Sequence, residues 1–221
     1  MWLRVDENTD VLTSLSECLH CVRRASDEPG LWKWAIHSLH SALQGAMVCH
    51  LSGTAQLGAQ SDRCVRKILD WHERDRRGEV ERVLVREDEW GPIFQPKRQE
   101  DAFPEERLAS APDLFERLHN DVKRVEGGAG ALLALLPHHH RSFGKLNTLR
   151  NDFVHFTPKG WSIELAGLPR ICADVTSVID IIAADPWPFR HMHERDRGRL
   201  ATLLGELRMA LQTLGNADQP A

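Results

Sequence analysis

Apolar residues recur every three to four positions along most of the chain, the period of a helix that buries one face. Val11, Leu15, Cys18, Leu19 and Val22 form one stripe, which Asp27-Glu28-Pro29-Gly30 ends. A second helix is predicted over about 31–51, carried by Trp32, Ile36, Leu39, Leu43 and Met47 and closed by Ser52-Gly53. A third is predicted over 112–126, with Pro112 suited to an early helical position. Its stripe is Phe115, Leu118, Val122 and Val125, and Gly127-Gly128 stops it. A fourth is predicted over 143–156, with Ser142 as N-cap and Thr157-Pro158-Lys159-Gly160 as the exit turn. A fifth starts near Pro169 on Ile171, Val175, Val178 and Ile182. A sixth covers about 194–214 on Leu200, Leu203, Leu207, Leu211 and Leu214.

Residues 61–106 break the pattern. They are crowded with Arg, Asp and Glu and interrupted by Trp90-Gly91-Pro92 and Gln95-Pro96. A short helix near Cys64–Arg74 and a strand near Val80–Val85 fit there, as a surface excursion on a helical domain. Trp161-Ser162-Ile163-Glu164-Leu165 alternates apolar and polar residues, which predicts a short strand. The expected fold class is therefore all-α: a helical bundle with a charged inserted excursion and a short β element. Its expected divisions are an N-terminal helix (1–28), a helical domain (29–186) carrying the insertion, a C-terminal helix (187–214) packing on that domain, and a disordered tail (215–221).

Composition narrows the function classes. Among the 221 residues, 28 Lys+Arg stand against 32 Asp+Glu, a formal net charge of −4, which argues against a generic nucleic-acid coat. The basic set is 22 Arg and 6 Lys, and the absence of Tyr removes tyrosine-based chemistry. No apolar run is long enough for a membrane span and no secretion signal opens the chain, so the expected setting is cytoplasmic with no membrane partner. The five cysteines read as reduced thiols. Cys18 and Cys21 form a CxxC without a second ligand pair, leaving structural thiols or a half-site completed by a partner. Phosphate loops, HExxH and GxSxG are missing. His138–His140 read as a loop whose diverging side chains are poor ligands for one ion. The Arg and His residues over 190–199 read as a basic patch or as the solvated start of the last helix. No metal and no cofactor is expected.

The segment Leu149-Arg150-Asn151-Asp152-Phe153-Val154-His155-Phe156 carries the most chemistry. On a helical wheel Leu146, Leu149, Phe153 and Phe156 share a core face. Asn151 and His155 stand one turn apart on the opposite side, with Arg150 and Val154 on the flank. An Arg-x(4)-His pair is expected about once by chance in so Arg- and His-rich a chain, and Arg66 to His72 gives a similar spacing. Asn directly after the Arg lowers that expectation to about 0.03.

In this motif the chain resembles the HEPN superfamily, whose signature is an Arg, a polar residue and a His four to six residues on, set on a late helix. The helix over 31–52 is similar to the opening helix of bacterial HEPN-like proteins, and the resemblance extends over 110–184. It implies a metal-independent endoribonuclease acting as a homodimer, with motifs from two chains forming one cleft. His155 is then the general acid or base, Arg150 stabilises the transition-state phosphorane, Asn151 holds substrate or histidine, and Asp152 orients an imidazole. The implied partners are RNA, a second copy, and a partner protein such as an antitoxin, in a stress or anti-phage role. Some HEPN toxins carry Tyr two residues after the His, where Thr157 stands here, so the likeness does not reach that subgroup. Many HEPN-like domains are non-catalytic binding or dimerisation modules, and the motif residues also suit that reading.

Overall fold

The structure, a computed structural model, describes residues 2, 5–125, 129–155 and 160–217. Its α-helices are α1 (Glu7–Arg24), α2 (Trp32–Leu51), α3 (Asp62–Arg76), α4 (Ala111–His119), α5 (Pro137–Val154), α6 (Leu168–Ala184) and α7 (Glu194–Ala217). Two strands, β1 (Arg82–Asp88) and β2 (Gly91–Pro96), form one antiparallel hairpin. The chain divides into two units, residues 1–58 with 111–221, and residues 59–110.

In the larger unit α2 is the central helix. It is buried nearly all round, through Ile36, Leu39, Leu43 and Met47 on one side and Ala35, Ala42 and Ala46 on others. Helices α1, α4, α5 and α6 pack on it, and α7 closes over α1 and α6. Helix α1 starts where Asp6 Oδ1 accepts from Thr9 N (2.8 Å) while Thr9 Oγ1 accepts from Asp6 N (2.9 Å), a reciprocal cap. Its stripe from Val11 to Val22 is buried as the spacing requires. The approach to α2 is close at Gly45, where a Cβ would lie 2.8 Å from Val11 Cγ2. No helix among the described residues is long and apolar enough to cross a membrane.

Several elements depart from the sequence pattern. Helix α4 ends at His119, a 3-10 turn follows at Asp121–Lys123, and Val122 is 91% exposed. The Arg124 guanidinium explains the change of course. It donates to the carbonyls of Arg117 (2.9 Å), Leu118 (3.3 Å), Gly130 and Ala131 (2.7 Å), tying the end of α4 to the incoming chain. The Gly127-Gly128 stop lies outside the described residues. The segment Trp161–Leu165 is not a strand, because no neighbouring strand pairs with it among the described residues. Helix α7 runs on through Ala217, and residues 218–221 lie outside the description.

The smaller unit spans residues 59–110 and holds α3 and the hairpin. Ser61 Oγ caps α3 by accepting from Cys64 N (3.3 Å). Asp101, 2% exposed, accepts from Arg74 (3.1 Å) and from Arg98 Nε (2.9 Å), and the Arg98 hydrogen bond holds its carboxyl below the usual range. The hairpin turn is Glu89-Trp90, and Gly91, which opens β2 opposite Asp88, has φ +114°, a conformation that suits glycine. The register skips a residue between Leu84 and Arg86, a bulge that leaves Val85 unpaired.

Candidate functional site

Helix α5 positions every residue of the Arg–Asn–His motif, and its start differs from the sequence expectation. It begins at Pro137, a residue suited to the first turn because it lacks an N–H, so His138–His140 are helical and Ser142 lies inside the helix. His139 Nδ1 accepts from Leu136 N (3.1 Å), which leaves Nε2 as the protonated nitrogen, and that nitrogen pairs with Ser177 Oγ of α6 (2.9 Å). Ser142 Oγ donates to Asp174 Oδ2 of α6 (2.6 Å). His140 and His119 meet edge to face at 4.5 Å, and Phe143 stacks on Phe115 at 4.0 Å. Burial pushes His139 and His140 below the ordinary histidine value, so each is held toward its neutral form.

Toward the C-terminal end the inward stripe runs Phe143, Leu146, Arg150 and Phe153. Leu146 is wholly buried, while Arg150 and Phe153 are half-buried. Phe156, expected on the same face, lies outside the described residues, as do Thr157–Lys159. Arg150 Nη1 donates to Asn151 Oδ1 (2.9 Å), so Asn151 holds the arginine and not the histidine. The helix stops at Val154, and His155 caps it at φ −98° and ψ 48°, its N–H donating to Asn151 O (2.8 Å). His155 and Asp152 are exposed, and among the described residues neither side chain has a hydrogen-bond partner. Five residues along a helix is a turn of about 140°. The arginine therefore faces inward toward α2 and the histidine stands at the solvent edge.

Sequence reasoning missed the α2 side of this region. His37 and His40 lie one turn apart on α2. His40 Nε2 donates to Asn147 Oδ1 of α5 (3.1 Å), and the His37 ring lies 5.9 Å from Phe153. Burial pushes both imidazoles below the ordinary value, and the Arg150 charge adds to that at each. The missed signal was the spacing of His37 and His40 beside Trp34 on a helix already assigned to the core. Next to Phe153 lies a cavity of about 470 Å³, walled by Trp32, Lys33, Phe153, Trp161, Ile163 and Leu165. Phe153 and Trp161 are 5.0 Å apart, and Lys33 sits over the Trp34 ring. The C-terminal end of α5 with the facing side of α2 thus offers a guanidinium, an exposed imidazole, two further imidazoles held toward neutrality, and aromatic walls.

No family model, no curated protein and no solved structure matches the chain.

The remaining candidates are structural in their surroundings. All five cysteines are buried, and burial pushes Cys21 up to about 11 and Cys49 and Cys172 up to about 12. These thiols are poor nucleophiles at neutral pH. Arg190 lies over the Trp187 ring at 3.7 Å and donates to Trp187 O (3.0 Å), and Arg197 Nε donates to Met192 O (3.1 Å). His191 and His193 are exposed beside them. His50 is fully buried and donates from Nε2 to Ala131 O (2.9 Å), and a Cβ on Gly130 would strike its ring at 2.4 Å.

Proposed function

We propose that the chain is a HEPN-like, metal-independent endoribonuclease. It cleaves single-stranded or loop RNA by attack of the internal 2′-hydroxyl, at a site that a second copy completes, in a stress-response or anti-phage setting. The observation that carries this reading is the end of α5: His155 exposed at the helix terminus, five residues after a guanidinium held by Asn151.

In the proposed reaction a base removes the 2′-hydroxyl proton and the oxygen attacks the phosphorus. The 5′-oxygen leaves with a proton, giving a 2′,3′-cyclic phosphate and a 5′-hydroxyl. His155 supplies or takes a proton, the part an exposed imidazole can play as general acid or base. Arg150 donates paired N–H groups to the charge that builds on the phosphoryl oxygens. Asn151 acts as a positioning residue for Arg150. The aromatic-walled cavity beside Phe153 suits a stacked base, whose face any nucleotide presents.

Incubating the purified protein with single-stranded RNA in EDTA tests this. The expected result is cleavage by the wild type and none by His155→Ala, with both retaining their helicity. Equal cleavage by the variant removes the reading.

A second reading is a non-catalytic HEPN-like module that binds a second copy or a partner protein. The apolar exposure of Val154 (47%) and Trp34 (52%) in this region favours it. Under that reading Arg150→Ala weakens assembly, measured by sedimentation, and no cleavage occurs with any variant.

A further inference from the structure

On the other side of α5, facing the start of α6, two cavities adjoin. One measures about 600 Å³ and the other about 300 Å³, and Arg141, Lys145, Gly167 and Ile171 line both. The smaller is the polar one, with Arg141, Lys145 and Arg170 at its edge beside His138, Ser142 and Asp174. Among the described residues the three cations make no ion pair and no hydrogen bond with protein. Asp174 is already engaged. One carboxylate oxygen accepts from Ser142 Oγ (2.6 Å), and the other lies 3.9 Å from His138 Nε2. The uncommitted charge at this place is positive.

The larger cavity has apolar walls, Leu149, Ile163, Leu168 and Ile171, with Glu164 and His140 at its margin. Its floor includes Gly144, a glycine inside a helix, where glycine is a poor helix former. A Cβ there would meet nothing within 4 Å. Packing does not require glycine at that position, yet glycine is what keeps the floor low. The start of α6 adds to the field. Gly167 and Leu168 at the N-terminus of the 17-residue α6 line the larger cavity, which puts the helix's positive end beside it.

We propose that these joined cavities bind a 5′-nucleotide unit. Its phosphate sits among Arg141, Lys145 and Arg170, and its base lies over Gly144 between Leu149, Ile163 and Ile171. Glu164 at the margin accepts from an exocyclic base amine, which favours adenine or cytosine over hypoxanthine or uracil. The unit is either a free mononucleotide or the 5′-phosphorylated end of a strand. The site is separate from the Arg150–His155 motif and does not depend on it.

The test is equilibrium binding of adenosine 5′-monophosphate, with adenosine and inorganic phosphate alongside. A 5′-phosphorylated oligodeoxyadenylate, which lacks the 2′-hydroxyl and so resists the proposed cleavage, stands for the strand end. Saturable binding of either phosphorylated probe, tighter than adenosine or phosphate alone, supports the site and tells the two sources apart. Lys145→Gln and Arg170→Gln are expected to weaken binding about tenfold each, the loss of one charged hydrogen bond. Gly144→Leu fills the floor while improving helix propensity, and is expected to abolish binding with the melting temperature maintained. Neither phosphorylated probe binding the wild type overturns the proposal. So does binding that Gly144→Leu leaves unchanged, or inorganic phosphate binding as tightly as the nucleotide.

Discussion

The two ends of α5 use the same residue types for opposite purposes. At the N-terminal end two polar side chains are buried and paired: His139 links the helix start to Ser177, and Ser142 donates to Asp174. At the C-terminal end Arg150 is half-buried with one partner, and His155 and Asp152 stand exposed. A buried imidazole with two partners has one defined tautomer and a pKa pushed away from neutrality, which fits an anchor. An exposed imidazole at a helix terminus keeps access to solvent and substrate, which fits a group that exchanges protons. A histidine's surroundings, more than its presence, separate the two roles.

That contrast is open to breaking. The largest expected effect is at the exposed end, where His155→Ala lowers RNA cleavage by about 10²–10⁴-fold, the usual worth of a general acid or base. Its melting temperature should stay at the wild-type value, since no buried contact is lost. At the middle of the helix Leu146→Ala reverses the pattern. It removes a wholly buried side chain and is expected to cost about 2–5 kcal/mol in urea unfolding. His139→Ala should cost about 1–3 kcal/mol, because it leaves Ser177 and the Leu136 N–H without their partner. A larger stability loss from His155→Ala than from His139→Ala would invert the comparison.

A smaller and graded effect is expected with pH. Burial holds His40, His50 and His139 below their ordinary value of 6.5, so below that pH the unfolded chain binds more protons than the folded one. Stability is then at its full value above about pH 6.5 and declines as the pH falls further. Urea midpoints measured between pH 7.5 and 5 check this, and a His40→Gln variant should flatten part of the slope. The smallest effect is expected for Asp152→Asn, within about 0.5 kcal/mol, as for other exposed positions.

Much of the bundle was legible because one rule governs it: a stripe at helical spacing is buried if it is long enough. The stripe on α1 and most of those on α2, α6 and α7 follow that rule, though Ile171 and Leu214 are only half-buried. The rule fails where backbone and side chain interact across the fold. Val122 and Val125 continue the spacing of α4, but Arg124 spends its donors on nearby carbonyls and the chain turns away. Pro137 starts α5 six residues early because His139 supplies the missing cap from a side chain, an arrangement no spacing reveals. Strand β2 was hidden because Trp90-Gly91-Pro92 reads as a break, whereas the turn is Glu89-Trp90 and Gly91 and Pro92 already pair with β1. In the candidate site, Arg150, Asn151 and His155 were found by their spacing. His37 and His40 were not, since tertiary packing alone sets them beside Arg150.

The central claim is that the C-terminal end of α5 performs phosphodiester transfer with the RNA's own hydroxyl. End-group analysis of RNA incubated with the wild-type protein in EDTA tests it most directly. The account predicts 2′,3′-cyclic phosphate and 5′-hydroxyl ends that disappear with His155→Ala. Intact RNA with the wild-type protein, or the same ends produced undiminished by His155→Ala, would contradict it.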